Sequence, residues 1–444
     1  MPVSVIAGAV KRHPGGGARR DPVRHTCRVP DQPPPQHCPT PRELDDLELL
    51  SHGALAPLSG FEGSDGLVTL RVPAEVAEAA EQVGSLELVD PEGVPLASVT
   101  VESTYPAGGL TGIRGAVTAL AHNEFGVFRR LHLSPTEVRE RYGAETLTVP
   151  VADALTLEDL DRIREVAGGN SVLLLVLTGT GTPDLSAPAL IRATRAAADH
   201  LPDAAVVAVP LASRGDATAD HELGRRVVEA YAPGPVLGVT GGGDLSDDVA
   251  AIVERDQPTP DEQGLVLFFT GLSGSGKSTL ARALHDVILE GGERTVTSLD
   301  GDVVRRNLSA GLTFSRADRE TNIHRIGWVA AEVSRHGGVA ICSPIAPFDS
   351  TRRQVRHLVE QAGGAFVLIH VATPLEECER RDRKGLYAKA RAGIIPEFTG
   401  ISSPYEEPGD ASVRVDTTGR SIEEALNEVL DHLDDAGYLT RGPQ

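Results

Sequence analysis

The stretch GLSGSGKST, residues 271–279, combines closely spaced glycines with one lysine and several hydroxyl side chains. It follows the apolar run GLVLFFT and precedes LARALHDVILEGG, which has the apolar spacing of a helix. In this setting glycines let backbone N–H groups wrap a phosphate, and the helix N-terminus adds the positive end of its dipole. We therefore predict a nucleotide-phosphate site formed by the following residues: Gly271, Leu272, Ser273, Gly274, Ser275, Gly276, Lys277, Ser278 and Thr279.

Two roles within this stretch follow from side-chain chemistry. Lys277 would reach the outer phosphates and act as a catalytic residue, and Ser278 would ligate Mg²⁺. Downstream, RTVTSLDGDVVRRNL places Asp300 and Asp302 at the end of a second predicted strand, where an open α/β sheet builds its site. Since no apolar strand followed by Asp occurs later in the chain, this pair is the best source of a Mg²⁺ ligand or of a base for a hydroxyl. Helix capping is a credible alternative for one of the two, but less so for both.

Basic residues follow in two places. Arg319, Asn322 and Arg325 lie in the early turns of a predicted helix in GLTFSRADRETNIHRIGWVAAEVSRHGG and could hold a second anion. RDRKGLYAKARAG, residues 381–393, gathers basic residues around a Gly-Leu-Tyr turn. Such a segment is either a solvated surface or a mobile lid that neutralises charge during phosphoryl transfer.

The elements that position these residues fall into five segments. Residues 1–39 are rich in Pro, Gly and Arg and predict a disordered tail, whereas 40–150 carry short alternating segments typical of a β-rich domain. Apolar strands alternate with helices in 151–255, which predicts a parallel sheet. DQPTPDEQ, 256–263, predicts a linker, and a second α/β pattern with a parallel sheet flanked by helices occupies 264–439.

Composition excludes several function classes. A formal charge of −21 argues against a general nucleic-acid binder, because phosphate backbones are held mainly by Lys and Arg. No apolar run approaches the roughly 20 residues that span a bilayer, so we expect no membrane partner. Only four cysteines occur, too few for a disulfide framework in a chain of 444 residues. These features together predict a cytoplasmic protein.

Six stretches, in order, resemble adenylylsulfate kinase and cover essentially all of 264–439: GLSGSGKST, LDGDVVR, GLTFSRADRETNIHRIGWVA, SPIAPFDSTRRQVR, TPLEECERRDRKGLYAKARAG and FTGISSPYEEP. The resemblance implies a P-loop kinase fold. It also implies that Mg·ATP phosphorylates the ribose 3′-hydroxyl of adenosine 5′-phosphosulfate to give 3′-phosphoadenosine 5′-phosphosulfate. ATP and adenosine 5′-phosphosulfate are then the expected small-molecule partners, with Mg²⁺ as the cofactor.

The same resemblance implies roles for further residues. Phe314 and Phe398 would enclose the adenine of the acceptor, and Asp302 would lie near the 3′-hydroxyl and the metal. ATP would also contact Arg381. The remaining acceptor-site residues implied by the resemblance are Asp300, Arg305, Arg319, Asn322, Ile345, Lys384 and Leu386.

One departure from the kinase pattern concerns its usual I-S-P segment, whose serine has been described as phosphorylated. Here the segment is Ile345-Ala346-Pro347, so a phosphoserine at that position is impossible, and Ser343 lies three positions earlier. We therefore expect direct in-line transfer. The usual basic residue two positions after the proline is replaced by Asp349, which would weaken one anion contact.

PTPRELDDLELLSHGALAPLSGFEG (39–63) and PEGVPLASVTVESTY resemble the N-terminal part of ATP sulfurylase. The resemblance implies a PUA-like β-rich domain followed by a shortened α/β domain. That family carries a Q-x-R-N-P-x-H-x-x-H loop after a strand, and the corresponding place after SVLLLVL reads TGTGTP, with Pro183 retained. The Gln, Arg, Asn and both His are missing, so we expect a silent scaffold.

Two other functions stay open from the sequence. One is a bifunctional ATP sulfurylase and adenylylsulfate kinase, against which the altered TGTGTP loop argues. The other is a kinase-like module that only senses a nucleotide, as in fungal sulfurylases, against which the intact Lys277, Ser278 and Asp302 argue. We further expect a homo-oligomer, a dimer, that works with a separate active ATP sulfurylase.

Overall fold

The computed structural model describes residues 33–121, 126–181, 185–313 and 315–439, with the exception of the Asp302 side chain. These residues form two compact units. The first contains the described residues among 1–152, 162–183 and 201–239, and the second contains those among 153–161, 184–200 and 240–444.

The strands β1 to β14 are, in chain order, Gln36–His37, Gly60–Phe61, Leu70–Val72, Ser85–Val89, Pro95–Ala107, Leu110–Ala119, Leu147–Val151, Val172–Leu177, Ala204–Val209, Leu265–Thr270, Val296–Leu299, Val339–Cys342, Ala365–Val371 and Val413–Val415. The helices α1 to α14 are Pro41–Ser51, Ala74–Val83, Pro135–Arg141, Leu157–Ala167, Ala187–Asp199, Ala217–Tyr231, Asp247–Asp256, Lys277–Gly291, Gly301–Asn307, Arg316–Arg335, Asp349–Gln361, Leu375–Arg381, Leu386–Arg391 and Ile422–Asp435. A short 3₁₀ helix spans Arg129–Leu131.

The first unit contains a six-stranded sheet in which β1, β4, β5, β6 and β2 are adjacent in that order and β3 also pairs with β6. β1 runs parallel to β4, and the other pairs are antiparallel. The predicted tail boundary at residue 39 is therefore wrong, because Gln36 and His37 already belong to this sheet. A strand of two residues is too short to show the alternation of apolar and polar residues by which strands are predicted. The rest of the predicted tail, 1–32, lies outside the described residues.

The first unit also contains a parallel sheet of β7, β8 and β9, as the alternation of apolar strands and helices predicts. Leu173 and Leu175 of β8 share one hydrophobic core with Leu86 and Leu88 of the β-rich sheet. The predicted boundary between 40–150 and 151–255 is therefore not a boundary between separate cores. A change in the sequence pattern along the chain predicts which helices and strands form. It does not predict which hydrophobic core their apolar side chains enter.

The second unit is built around a five-stranded parallel sheet in the order β11-β12-β10-β13-β14. All residues of the central strand β10 are buried, and they alternate between two cores. Leu265, Leu267 and Phe269 pack with α8 and α14, whereas Val266 and Phe268 pack with α10 and α11. The predicted α/β fold, a parallel sheet flanked by helices on both faces, is confirmed.

Among residues 33–121, 126–181, 185–313 and 315–439, no helix combines the length and the apolar character needed to cross a bilayer.

Candidate active site

The loop between β10 and α8 has a backbone that only glycine supports at several positions. Gly271, Gly274 and Gly276 have φ values of 146°, 77° and 102°, and a positive φ of this kind is strained for residues with a Cβ. At Gly271 a Cβ would also lie 2.4 Å from the Val371 carbonyl oxygen of β13. The loop therefore passes directly over the carboxyl end of the neighbouring strand.

Side chains of the protein donate hydrogen bonds to carbonyl groups of this loop. The Ser275 carbonyl accepts hydrogen bonds from the hydroxyls of Thr373, at 3.0 Å, and Thr417, at 2.9 Å. Lys277 Nζ donates to the Leu272 carbonyl at 2.6 Å. In a trans peptide the N–H of the next residue points away from the carbonyl. Fixing these carbonyls therefore turns the following N–H groups toward the opposite side of the loop, where a phosphate would sit.

Lys277, at the start of α8, is 6% exposed. Burial lowers the pKa of its amine to about 8, and the opposing electrostatic effects of Cys378 and Asp300 only partly restore it. At neutral pH the amine is still mostly charged, and an incoming phosphate would favour the charged form. Lys277 is thus a buried cation placed at the mouth of the phosphate loop.

Arg381, predicted to contact ATP, is fixed beside the same loop. Its guanidinium donates to Thr417 Oγ1 at 2.8 Å and to the Thr417 carbonyl at 2.9 Å. A third hydrogen bond, from Nε to Glu377 Oε1, measures 2.8 Å. Hydrogen bonds from Arg380 and Arg381 lower the pKa of the Glu377 carboxyl to about 2, so Arg381 is held by a carboxylate that stays ionised.

The acids and hydroxyls suited to Mg²⁺ come from the first turn of α8 and from the segment that follows β11. Ser278 and Thr279 are exposed there, and Asp300 directly follows β11. Asp302 lies in the first turn of α9, and its side chain is outside the described atoms. No cluster of three or more His, Cys, Asp or Glu side chains that could hold a metal occurs among the described residues. Mg²⁺ at a phosphate site needs only one or two protein ligands besides phosphate and water, so this donor set fits the ion.

A second site lies around α10. Arg319 donates to Thr399 Oγ1 at 3.0 Å and to Ser403 Oγ at 3.4 Å, and Glu397 Oε2 lies 3.7 Å from its guanidinium. Its Nε and the Oδ1 of Asn322 are buried and have no hydrogen-bond partner among the described residues. Since buried polar atoms are almost always paired in native proteins, these two atoms point to a polar ligand.

A cleft of about 540 Å³ lies between Leu272 of the phosphate loop and a facing wall formed by residues 400–405 and Glu407. The wall approaches the loop closely, because a Cβ on Gly400 would lie 3.0 Å from Leu272 Cδ2. Phe398 stands at the start of this segment, and its carbonyl accepts N–H bonds from Ile401, Ser402 and Ser403 at 3.0–3.1 Å. The cleft therefore joins the phosphate loop to the segment that holds Arg319.

The structure brings together some of the predicted acceptor residues and leaves others apart. Ile345 lies against the phosphate loop, where its carbonyl accepts a hydrogen bond from Thr270 Oγ1 at 2.7 Å. Arg305 is half-buried and donates to the Thr313 carbonyl at 3.5 Å. Lys384 is exposed, and Leu386 begins α13, in the segment predicted to be either a lid or a solvated surface. Phe314 lies outside the described residues.

The segment that departs from the kinase pattern is tightly held. Ala346 is buried, has a φ of 43°, and its carbonyl accepts from Arg352 at 2.8 Å. Asp349 forms ion pairs with Arg352 and Arg353. The carboxylate of Asp349 is therefore already paired with side chains of the protein. Ser343, three positions before Ala346, is 7% exposed.

Comparison with known proteins identifies this domain. The family model for adenylylsulphate kinase matches residues 263–416. A hexameric adenylylsulfate kinase from Thiobacillus denitrificans covers 91% of this chain and 94% of its own, at 28% identity and a TM-score of 0.71. The kinase CysC of Mycobacterium tuberculosis, solved with AMPPNP and adenosine 5′-phosphosulfate, is 45% identical over 39% of this chain and 98% of its own, with a TM-score of 0.37.

Residues 263–416 belong to the adenylylsulphate kinase family.

A curated relative carries a different name. A sulfate adenylyltransferase of Neosartorya fischeri is 45% identical over 194 residues, which are 44% of this chain and 34% of that protein. The chain thus spans about a third of the length of the curated relatives it matches. Sulfate adenylyltransferase is another name for ATP sulfurylase, the family that the N-terminal sequence resembles.

In the first unit, the loop that follows β8 differs from the loop of the adenylylsulphate kinase domain. The Thr180 backbone N–H and hydroxyl both donate to Asp45 Oδ2, at 2.8 and 2.7 Å. Gly179 lies so close to the backbone of Leu211 that a Cβ would come within 2.2 Å of it. Pro183, the residue retained from the sulfurylase pattern, lies outside the described residues. Two donors of this loop, the N–H and the hydroxyl of Thr180, are thus occupied by a carboxylate of α1.

Two residues that support the kinase site were not identified from the sequence motifs. Thr373 and Thr417 follow β13 and β14, and their hydroxyls lie 2.8 Å apart over the Ser275 carbonyl. They are 98 and 142 residues away from Ser275 along the chain. The sequence signal that could have found them is their position just after the apolar segments that form β13 and β14, since parallel strands bring their carboxyl ends to one edge.

Proposed function

We propose that the protein is an adenylylsulfate kinase, which transfers the γ-phosphate of ATP to the 3′-hydroxyl of adenosine 5′-phosphosulfate and so forms 3′-phosphoadenosine 5′-phosphosulfate. The observation that carries the proposal is the pairing of two sites along one cleft. The phosphate loop contains a buried lysine, and its Leu272 lines the same cleft as Ser403, whose hydroxyl accepts from Arg319 of α10. Near that contact, Nε of Arg319 and Oδ1 of Asn322 are buried and lack partners among the described residues.

In the mechanism we propose, electrostatic stabilisation and alignment of the two substrates contribute more than removal of a proton from the hydroxyl. Phosphoryl transfer passes through a loose transition state, so the main contribution of the protein is to align the two oxygens and to stabilise charge. The loop N–H groups and Lys277 would hold the β- and γ-phosphates. Mg²⁺, held by Ser278 and Asp302, would supply further positive charge when bound. Asp302 would also accept a hydrogen bond from the attacking 3′-hydroxyl.

The acceptor would bind across the cleft from the loop. Arg319, Arg305 and Asn322 would contact its phosphosulfate and ribose, and Phe314 and Phe398 would enclose its adenine. Replacing Phe398 or Phe314 with alanine should raise the KM for the acceptor and leave the KM for ATP within about twofold. Unchanged acceptor KM values would show that the base lies elsewhere.

We propose direct transfer without a phosphorylated enzyme. Ala346 has no hydroxyl, and Ser343 is buried in the segment after β12. Mass spectrometry of the protein after incubation with Mg·ATP alone should show no stoichiometric phosphate. A phosphate on Ser343 that disappears on addition of adenosine 5′-phosphosulfate would contradict direct transfer.

The test of the function is an assay of the purified chain with Mg·ATP and adenosine 5′-phosphosulfate, with the 3′-phosphorylated product separated by chromatography. Product formation supports the proposal, and its absence together with tight ATP binding would favour a nucleotide-sensing module.

The names of the curated relatives favour one second candidate, a bifunctional enzyme that also makes adenosine 5′-phosphosulfate. Sulfate-dependent release of pyrophosphate from ATP distinguishes the two. We expect none, because Asp45 occupies the N–H and the hydroxyl of Thr180 in the loop after β8.

We also propose that the chain forms a homo-oligomer, a dimer, in the cytoplasm and works beside a separate active ATP sulfurylase. The acidic composition and the small number of cysteines support this setting. Light scattering of the purified protein would test the oligomeric state.

A further inference from the structure

One residue of the lid, Tyr387, contacts the surroundings of both nucleotide sites. Its hydroxyl donates to the carbonyl of Ser273 in the phosphate loop at 2.8 Å. Its ring packs edge-on against the ring of Phe398, with centroids 5.0 Å apart and planes at 76°. Tyr387 is 1% exposed, so both contacts are made inside the protein.

The backbone around Tyr387 is held by Asp382 and by α12. Asp382 accepts hydrogen bonds from the backbone N–H of Tyr387 at 3.1 Å and of Ala388 at 3.0 Å. At the other end of α13, Arg391 pairs with Glu379 of α12 at 2.9 Å. These contacts therefore set the position of α13 and with it that of the Tyr387 side chain.

The hydroxyl of Tyr387 acts on the peptide that joins Ser273 to Gly274. Because the peptide is planar and trans, a carbonyl held on one side directs the Gly274 N–H to the other side. Gly274 is exposed, and no described residue accepts a hydrogen bond from its N–H. Burial raises the pKa of Tyr387, so its hydroxyl stays protonated and remains a donor.

The three carbonyls around this peptide are held by three different elements. Leu272 is held by Lys277 of α8, Ser273 by Tyr387 of α13, and Ser275 by the threonines after β13 and β14. Only the Ser273 contact comes from the lid. The orientation of one phosphate-binding amide therefore depends on where the lid helix lies.

We propose that Tyr387 is a positioning residue that couples the lid to both subsites: its hydroxyl orients the Gly274 amide toward the phosphates of ATP, and its ring edge holds Phe398 in place for the acceptor base. The assignment of the two subsites rests on the proposed function. The two contacts are chemically separable, because phenylalanine keeps the ring and loses only the hydroxyl.

The experiment measures two affinities by calorimetry, those for Mg·AMPPNP and for adenosine 5′-phosphosulfate. Tyr387→Phe should weaken Mg·AMPPNP binding about 3- to 10-fold, as expected for one hydrogen bond, and leave acceptor affinity within twofold. Tyr387→Leu should in addition weaken acceptor binding about 3- to 10-fold, as expected for a lost aromatic pair. In steady state the same split should appear in the two KM values.

The matched control is Tyr105→Phe. The Tyr105 hydroxyl also donates to a backbone carbonyl, that of Glu62 at 3.3 Å, but in the first unit. It should leave both affinities unchanged. A second arm combines Tyr387→Leu with Phe398→Leu, and the double variant should bind the acceptor no more weakly than Phe398→Leu alone.

Every outcome of these measurements either supports or contradicts the proposed role of Tyr387. Equal loss of both affinities in Tyr387→Phe, or no loss of either, would overturn the coupling, and additive losses in the double variant would overturn the role of the ring. If Tyr387→Leu fails to fold, the Tyr387→Phe and Phe398→Leu arms still test the two contacts. Since wild-type turnover is measured separately, a chain that binds Mg·AMPPNP but forms no product contradicts the proposed function and leaves the hydroxyl arm valid.

Discussion

Two glycine-containing loops in this chain follow central strands of parallel sheets, and they differ in what occupies their hydrogen-bond donors. After β10 the loop carbonyls are held by side chains of the protein, and no described residue accepts from the N–H of Gly274 or Gly276. After β8 the N–H and hydroxyl of Thr180 are taken by Asp45. A loop offers its N–H groups to phosphate when protein acceptors leave them free, whereas in the loop after β8 Asp45 already accepts from Thr180.

The electrostatic surroundings of the two loops differ in the same sense. The kinase loop contains Lys277, whereas the loop after β8 faces Asp45 and, beside it, Asp46. Burial raises the pKa of both carboxyls, that of Asp46 to about 6, and Arg214 is the main partner that opposes this rise for Asp46. Buried acids of this kind would repel a phosphate. Residues 178–181 thus lie in a packed, acidic part of the first unit.

The largest effect should come from removing the cation that only one loop has. Lys277→Ala should lower the rate of 3′-phosphorylation by at least about 10²–10³-fold, since a charge aimed at the developing transition state is lost. The corresponding change in the other loop, Thr180→Ala, should leave the rate within twofold. A lysine variant that keeps a tenth of the activity would show that the loop does not carry catalysis.

The next effect concerns the acids of the first unit. Asp46→Ala should lower the free energy of unfolding by about 3–5 kcal/mol, because Arg214 would be left as a buried charge without its carboxylate. Chemical denaturation measures the change, with Glu78→Gln on the exposed face of α2 as the control. A loss below about 1 kcal/mol would mean that the pair contributes little.

A smaller and more selective effect is expected from two glycines that each meet a neighbouring backbone. Gly179→Ala should destabilise the first unit by about 1–3 kcal/mol through overpacking against Leu211, without weakening Mg·AMPPNP binding. Gly271→Ala should abolish Mg·AMPPNP binding, because the change both clashes with Val371 and strains the backbone. Calorimetry and thermal unfolding on both variants separate packing from ligand binding. Similar ligand-binding losses in the two would erase the distinction between the loops.

The smallest effect is a pH dependence confined to the kinase loop. Burial holds the pKa of Lys277 near 8, below its ordinary value, so the cation is present below pH 8 and is lost as the pH rises above it. Bound phosphate favours the cation, so binding above pH 8 must take up a proton and affinity for Mg·AMPPNP should fall up to about tenfold per pH unit. Calorimetry in two buffers of different ionisation enthalpy would detect the proton. Lys277→Ala should bind weakly, with no such slope.

Local signals in the sequence predicted much of this structure. The order strand, glycine loop, helix around Lys277 and the parallel sheets follow from spacing within a few residues. The support of the loop by Thr373, Thr417 and Tyr387 could not be predicted in this way, because each contact joins residues about a hundred positions apart. Likewise, the apolar pattern of β8 predicted a buried strand but not that its core is shared with β4.

The hydroxyl of Thr417 has a practical consequence for where the kinase domain ends. The family match stops at residue 416, one position before the threonine that holds the Ser275 carbonyl and anchors Arg381. Beyond it, α14 places Leu426, Val429 and Leu433 in the core on one face of the sheet. A piece of the chain cut at the family boundary would therefore expose that face and loosen the ATP site. The smallest autonomous kinase unit has to extend through α14.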